Sequence, residues 1–191
     1  MIITIARQCG CMGDQIGKAL AEKYFIPFYD KDAVCRLAKE KGLYEKYPYF
    51  YGEMPLDMLL YADTMAGDDT TDNGKTPRKA MADIIGNENC VVVGRCGNNA
   101  FRHREDVISV FLTGNKEKRA ELIEKKHNVS SKTAAKIVED TDLRRRTYHN
   151  YYTGEEWGNA EYYDISIDVS KVGEDGALRL IEAYINETGV L

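Results

Sequence analysis

An α/β domain of three layers, a parallel sheet with helices on both faces, is the fold this sequence predicts. Three observations carry that prediction. Apolar β-branched runs alternate along the chain with helix-patterned segments, the arrangement that gives parallel strands joined by right-handed crossovers. The run Val91 to Val93 stops at Gly94, the mark of a central buried strand that delivers residues to its carboxyl end. The opening residues set a strand, a glycine-bearing loop and a helix end to end, as MIITIA, RQCGCMGDQ and IGKALAEKY.

Each element follows in order. MIITIA is a short Ile/Thr run that reads as a buried strand, and Ile16, Leu20 and Ala21 mark one apolar face of the helix after it. FIPFYDKDAVCRLAKEKG repeats the unit, a short apolar segment leading through Asp30 into a helix that Gly42 closes. Residues 43–76 break this rhythm with tyrosine, methionine and then Gly, Asp and Thr. They read as an insertion, helical around Pro55 to Met65 and a mobile loop from Ala66 to Thr76. Its aromatics either pack locally or line a cleft. A helix from Pro77 leads into NCVVVG, and VISVFLTG is the next strand. NKEKRAELIEKKHN is a helix with Asn115 as N-cap, and a longer helix begins at Ser130 or Ser131. DISIDVS is a last strand and EDGALRLIEAYINETG a terminal helix.

At 191 residues the chain is expected to form one domain over 1–191. Its 43% hydrophobic and 30% charged residues are globular values. A net charge of -5 supplies no general footprint for nucleic acid. No apolar stretch approaches the ~20 residues of a membrane span, and the amino terminus enters a strand with no leader pattern, so a cytoplasmic location is expected. The five cysteines have no paired C-x-x-C spacing, which argues for reduced thiols. Cys9-x-Cys11 is either two small residues filling a loop or a redox or metal-capturing pair. His103, His127 and His149 show no ligand spacing, and no metal site is expected from the protein alone.

Ligands of such sheets sit at the carboxyl ends of the strands. The loop over Gly10, Cys11, Met12, Gly13, Asp14 and Gln15 falls there, with its glycines allowing tight turns and its amides aimed at an anion beside the helix dipole. The phosphate-loop pattern G-x-x-x-x-G-K-[ST] places Gln8 at the first Gly, Gly13 at the second, Asp14 at the Lys and Gln15 at the Ser/Thr. The loop is therefore either an altered phosphate site or an ordinary strand-to-helix turn. Asp30, the Gly94-Arg95 pair and the turn after VFLTG fall at strand ends too.

IARQCGCMGDQIGKALAEKYFIPFYDKD, CVVVGRC and TDLRRRTYHNYYTGEEWGNAEYYDISIDVSKVG together resemble the cytidylate kinase-like family. The resemblance spans nearly the whole chain, and its last block is the most specific. It implies a P-loop kinase fold, with 43–76 as the NMP-binding region and about 115–160 as a helical, arginine-bearing lid. It further implies transfer of the γ-phosphoryl group of ATP, with Mg²⁺, to an acceptor phosphate. The partner is then a nucleotide or another small phosphorylated substrate, and the protein a monomer or homodimer.

Phosphoryl transfer needs charge neutralisation and alignment, which arginine supplies through its planar, permanently charged fork. Arg7, Arg36, Arg95, Arg119 and the triplet Arg144, Arg145 and Arg146 are the candidates. DKDAVCR is similar to the family's D-x-G-x-x-Y-R acceptor motif, which places Asp30 and Arg36 at acceptor-holding positions. Read locally, Asp30 is a helix N-cap and Arg36 an exposed helical residue. Gly94-Arg95 matches G-R-D, with Arg95 on the acceptor nucleotide and Cys96 in place of the aspartate that helps recognise cytosine. A thiol substitutes poorly for a carboxylate there. Arg119 and Arg145 match the catalytic lid arginines, and Glu139, Asp142 and Arg145 share one helical face. Asp142 either orients Arg145 or is its surface i,i+3 partner. Arg144 and Arg146 point to solvent or to structural ion pairs, and Trp157 and the tyrosines before it pack the lid or stack a base. Relatives often carry arginine at the lysine position of the loop, where this chain has Asp14.

Overall fold

Alternation along the first strand sets the two faces of the core. Ile2, Ile3, Thr4 and Ile5 are all buried, with Ile2 on one side of the sheet and Ile3 and Ile5 on the other. In the computed structural model, which describes residues 1–47, 49–66 and 76–190, the strands are β1 (Ile2–Arg7), β2 (Phe28–Tyr29), β3 (Cys90–Val93), β4 (Val107–Thr113) and β5 (Ile165–Asp168). They form one sheet in the order β2-β3-β1-β4-β5, and every neighbouring pair is parallel. The order reverses direction at β1, so the ends of β1, β3 and β4 meet at the crevice where such sheets hold ligands.

The helices are α1 (Gly13–Tyr24), α2 (Lys31–Glu40), α3 (Leu56–Ala66), α4 (Thr76–Ile84), α5 (Gly97–Ala100), α6 (Lys116–His127), α7 (Ser131–Thr153) and α8 (Val169–Thr188). Ile16, Leu20 and Ala21 of α1 and Ala177, Ile181 and Ile185 of α8 cover one face, against Ile3, Ile5, Val91, Val93 and Val110. Val34 and Ala38 of α2, Met81 and Ile84 of α4 and the insertion cover the other, against Ile2 and Val92. These are the three layers expected. The expected caps are also present: Asn115 accepts from Lys118 N at 3.1 Å and Ser130 from Thr133 N at 3.2 Å.

Two boundaries differ from the sequence expectation. The last strand ends at Asp168 instead of running through Ser170, because the Asp168 carboxylate accepts from Ser170 N at 3.0 Å and starts a helix there. The terminal helix accordingly begins at Val169 and breaks at Gly173, whose φ is 70°. The loop expected between Ala66 and Thr76 falls on 67–75, outside the described residues.

The tyrosine-rich insertion packs into the core. Tyr47, Phe50, Tyr51 and Leu59 are buried with Tyr148 and Tyr152 of α7, whose rings are 4.7 Å apart. Trp157 meets Phe111 edge-on at 5.4 Å in a separate cluster with Tyr163. The aromatic end of α7 is thus anchored to the body and to the insertion. The other end pairs with α6 around a small core of Ile123, Ala134 and Val138, which the Cys9 side chain completes.

Candidate active site

The loop after β1 is held from below by its own sequence and from above by α6 and α7. Gln8 donates its backbone N–H to Leu112 O at 2.9 Å, and its Oε1 accepts from Thr113 Oγ1 at 2.7 Å and Gly114 N at 3.2 Å. A first glycine is therefore replaced by a side chain that ties the loop to the end of β4. Gly10 has φ +81°, and a Cβ there would stand 2.7 Å from the Arg119 carbonyl oxygen. Met12 at φ 54° turns the chain into α1 with no side-chain cap, so the first-turn amides of α1 stay available to an anion. Cys9 and Cys11 are buried, and burial pushes both thiols up, Cys11 to about 12. They are protonated packing groups at neutral pH, as the plainer of the two readings has it.

Asp142 and Arg119 clamp this loop. The Asp142 carboxylate accepts from Cys9 N at 2.6 Å with Oδ1 and from Arg119 Nη1 at 2.7 Å with Oδ2. Arg119 also donates to Cys9 O at 3.0 Å and to Gly114 O at 2.9 Å. Both side chains are buried. This corrects the expectation that Asp142 orients Arg145 or is its surface partner: it faces α6 and the loop. Glu139, on the same helical face, is exposed and pairs with Lys116 at the surface.

Arg145 instead donates to Arg7 O at 3.1 Å, and its Nε stands 4.0 Å from Glu53 Oε2. Arg95 follows β3 within three successive residues of positive φ, Gly94 at 82°, Arg95 at 55° and Cys96 at 53°. That turn drives its guanidinium under the insertion. It donates to Phe50 O at 2.7 Å and to Glu53 Oε1 at 2.9 Å, and lies 4.5 Å from the centre of the Tyr148 ring. Arg7, at the end of β1, pairs with Asp14 Oδ1 at 3.5 Å. Burial first, and the charge of Arg145 next, pull the Arg7 guanidinium down to about 10, still charged at neutral pH.

Arg7, Arg95, Arg145 and Glu53 thus share one wall, with more positive than negative charge. Two spaces open on it. An inner cavity of about 30 Å³ is lined by Thr4, Glu53, Gly94, Arg95, Cys96 and His149 among others. An outer cleft of about 700 Å³ is lined by the whole loop from Gln8 to Gln15 and by Leu122, Ile123, Lys125, Lys126 and Ile137. The outer cleft has a mixed apolar and cationic lining and the size of a small-molecule site.

The remaining candidates lie elsewhere. Asp30 caps α2 by accepting from Ala33 N at 2.8 Å, and Arg36 is exposed on the same helix; neither lines either space. Arg119 lines neither as well, since its guanidinium is turned into the clamp. Arg144 and Arg146 are exposed, Arg144 bonding only Thr141 Oγ1 at 3.1 Å. Glu53 was not singled out by the sequence: it sits in an aperiodic insertion, 42 residues from the arginine it serves.

His149 carries a pH prediction. It is 3% exposed in α7, with Nε2 3.7 Å from Glu155 Oε2, and neither atom has a hydrogen-bond partner. Burial pushes its pKa down to about 4, below the ~6.5 of an unfolded histidine. Between those values the unfolded chain binds the additional proton, so stability is full at high pH and falls as pH drops. The expected loss is about 2 kcal/mol between about pH 7 and about pH 5, removed by His149→Gln. Urea unfolding of both proteins at the two pH values checks it; parallel pH dependence would sink the assignment.

Comparisons with known proteins agree with this fold. A curated cytidylate kinase from Sulfurisphaera tokodaii (strain DSM 16993 / JCM 10545 / NBRC 100140 / 7) is 23% identical over 188 residues, 97% of this chain and 96% of that protein. A crystal structure of an uncharacterised protein from Eubacterium ventriosum ATCC 27560 superposes with a TM-score of 0.74 at 30% identity, covering 98% of each chain. A gluconokinase from Sinorhizobium meliloti 1021 shares the fold at a TM-score of 0.51 and 18% identity, over 97% of this chain and 95% of its own. The sheet is that of the P-loop kinases, and among the described residues no helix is long and apolar enough to cross a membrane. The family model for the cytidylate kinase-like family matches residues 2–171, and the chain belongs to that family.

Proposed function

We propose that this protein transfers the γ-phosphoryl group of ATP to a nucleoside monophosphate or a similar small phosphorylated acceptor. One observation carries the reading: Arg7, Arg95 and Arg145 converge, with Glu53 as their inner carboxylate, on the wall between the loop cleft and the inner cavity. A cationic wall between two spaces is what moving a phosphoryl group from donor to acceptor requires.

The amides of Gly10 and of Met12 to Gln15, with the Lys125 and Lys126 ammonium groups, would hold the donor phosphates, and Leu122, Ile123 and Ile137 would cover its apolar part. For Mg²⁺ the loop offers the Asp14 carboxylate and the Gln15 amide, and among the described residues no group of three or more His, Cys, Asp and Glu is placed to hold a metal. The ion would come with the nucleotide, held chiefly by phosphate oxygens. Arg95 would bind the acceptor phosphate. The inner cavity is small, about 30 Å³, so a nucleoside would enter it as Glu53 and the aromatic insertion move off Arg95.

A second reading, a nucleotide-binding regulatory protein with weak turnover, is favoured by Asp14, a carboxylate at the position where a cation would meet the β/γ-phosphates. A coupled ADP-release assay over a panel of nucleoside monophosphates, with ATP titrated by calorimetry, separates the two. ADP release stimulated by at least one acceptor is expected. ATP binding without turnover on any acceptor would leave only the second reading, and no binding at millimolar ATP would remove both.

A further inference from the structure

Arg7 and Arg145 are, among the described residues, the two that line both the loop cleft and the inner cavity. The chain has gone to some length to seat Arg7 there. Its aliphatic stem runs beneath Gly13, where a Cβ would stand 2.8 Å from Arg7 Cγ, and its guanidinium passes over Gly94, where a Cβ would stand 2.8 Å from Nη1. Gly13 thus leaves room for the stem of one arginine, which a side chain there would crowd at Cβ, Cγ and Cδ, while Gly94, set at φ +82° by its own turn, lies against the mobile tip. There the guanidinium has a single hydrogen-bond acceptor among the described residues, Asp14 Oδ1, at the long distance of 3.5 Å. Five N–H donors facing one distant carboxylate leave most of the fork open to a ligand. The neighbouring Arg145 has a buried Nε with no hydrogen-bond partner, 4.0 Å from Glu53 Oε2. The depression of Arg7 by burial and by the charge of Arg145 is what an intervening anion would relieve.

The loop itself has no cation. Asp14 stands where the pattern places lysine, and its carboxylate is half exposed while the Arg7 side chain is 14% exposed. We infer that Arg7, reaching up from the end of β1, supplies the charge that the loop lacks, meeting the β/γ-phosphates of the donor and, with Arg145, framing the passage to the acceptor. Asp14 holds the guanidinium at the cleft until phosphate displaces it. This rests on the nucleotide reading above and assigns its donor-side residue.

Dissociation constants for ATP by calorimetry and for adenosine by ligand-observed NMR test it, since distortion of the cleft weakens both ligands and loss of a phosphate contact weakens ATP alone. Arg7→Gln is expected to weaken ATP about tenfold or more while leaving adenosine within about twofold. Asp14→Lys added to Arg7→Gln returns a cation to the loop and should recover about threefold or more of the ATP affinity. Arg7→Lys keeps the stem and the charge. Burial and then the charge of Arg145 pull a cation at this position down, against the opposing carboxylates of Asp14 and Glu53 and with a smaller contribution from Arg95, so the ATP affinity of Arg7→Lys should fall from about pH 7 to about pH 9 more than that of the wild type.

A folded Arg7→Gln protein that loses both ligands equally, or neither, would overturn the inference while leaving the nucleotide reading in place. If Arg7→Gln does not fold, an Arg7→Lys protein whose ATP affinity falls with pH no more than the wild type's overturns it. A wild type that binds no ATP overturns the inference together with the reading on which it rests.

Discussion

Asp142→Ala is expected to cost about 3 to 5 kcal/mol, the range for removing one partner of a buried ion pair. The carboxylate accepts from Cys9 N at 2.6 Å and from Arg119 Nη1 at 2.7 Å. Deleting it strands a buried backbone amide and leaves the guanidinium with only the carbonyls of Cys9 and Gly114. Asn at this position keeps the shape but sets an N–H₂ against one of two donors, so Asp142→Asn should recover only part of the loss. Chemical denaturation reads both variants, and a loss below about 1 kcal/mol for Asp142→Ala, the level of an ordinary surface contact, would remove the clamp. The functional consequence follows from Cys9: its N–H is held by Asp142 and its carbonyl by Arg119, so breaking the clamp frees the loop and is expected to weaken ATP as well.

This clamp shows where the sequence was legible and where it was not. The strands and most helix starts were, because Val91 to Val93, Asn115 and Ser130 act through local pattern and local hydrogen bonds. Arg95 was legible for a similar reason: a charge that directly follows a buried strand must emerge at the ligand end of the sheet. Arg7 has the same signature and stood among the arginine candidates, but its importance lies in the room that Gly13 leaves for its stem, which no spacing reveals. Asp142 was placed correctly on a helical face with Arg145, yet helical spacing ranks neighbours within one helix only. A buried arginine 23 residues earlier, on α6, outbid the helical neighbour. Glu53 had no signal at all, since its place depends on how an aperiodic, aromatic insertion packs.

Arg95→Ala should reduce turnover about a hundredfold or more, whereas Arg144→Ala should stay within about twofold. The contrast is sharp because the two residues share chemistry and differ only in placement. Arg95 is buried, donates to Phe50 O and Glu53, and lines the inner cavity; Arg144 is exposed and touches Thr141. The difficulty is that Arg95 also fastens the insertion, so a fall in activity alone would not separate binding from packing. Arg95→Lys divides them. Lysine keeps one positive charge but gives up the fork that reaches Phe50 O and Glu53 together, so it retains attraction for an anion while losing the tie to the insertion. If Arg95 binds the acceptor phosphate, Arg95→Lys raises the acceptor KM far less than Arg95→Ala does, even where both melt at similarly lowered temperatures. If Arg95 is only a fastener, the two variants lose activity in step with stability. Glu53→Gln adds a check of opposite sign: with its carboxylate partner neutralised, Arg95 is freer to take an anion, and the acceptor KM should fall. A KM that rises instead would mean that Glu53 itself belongs to the acceptor site, and equal losses in Arg95→Ala and Arg144→Ala would remove Arg95 from it.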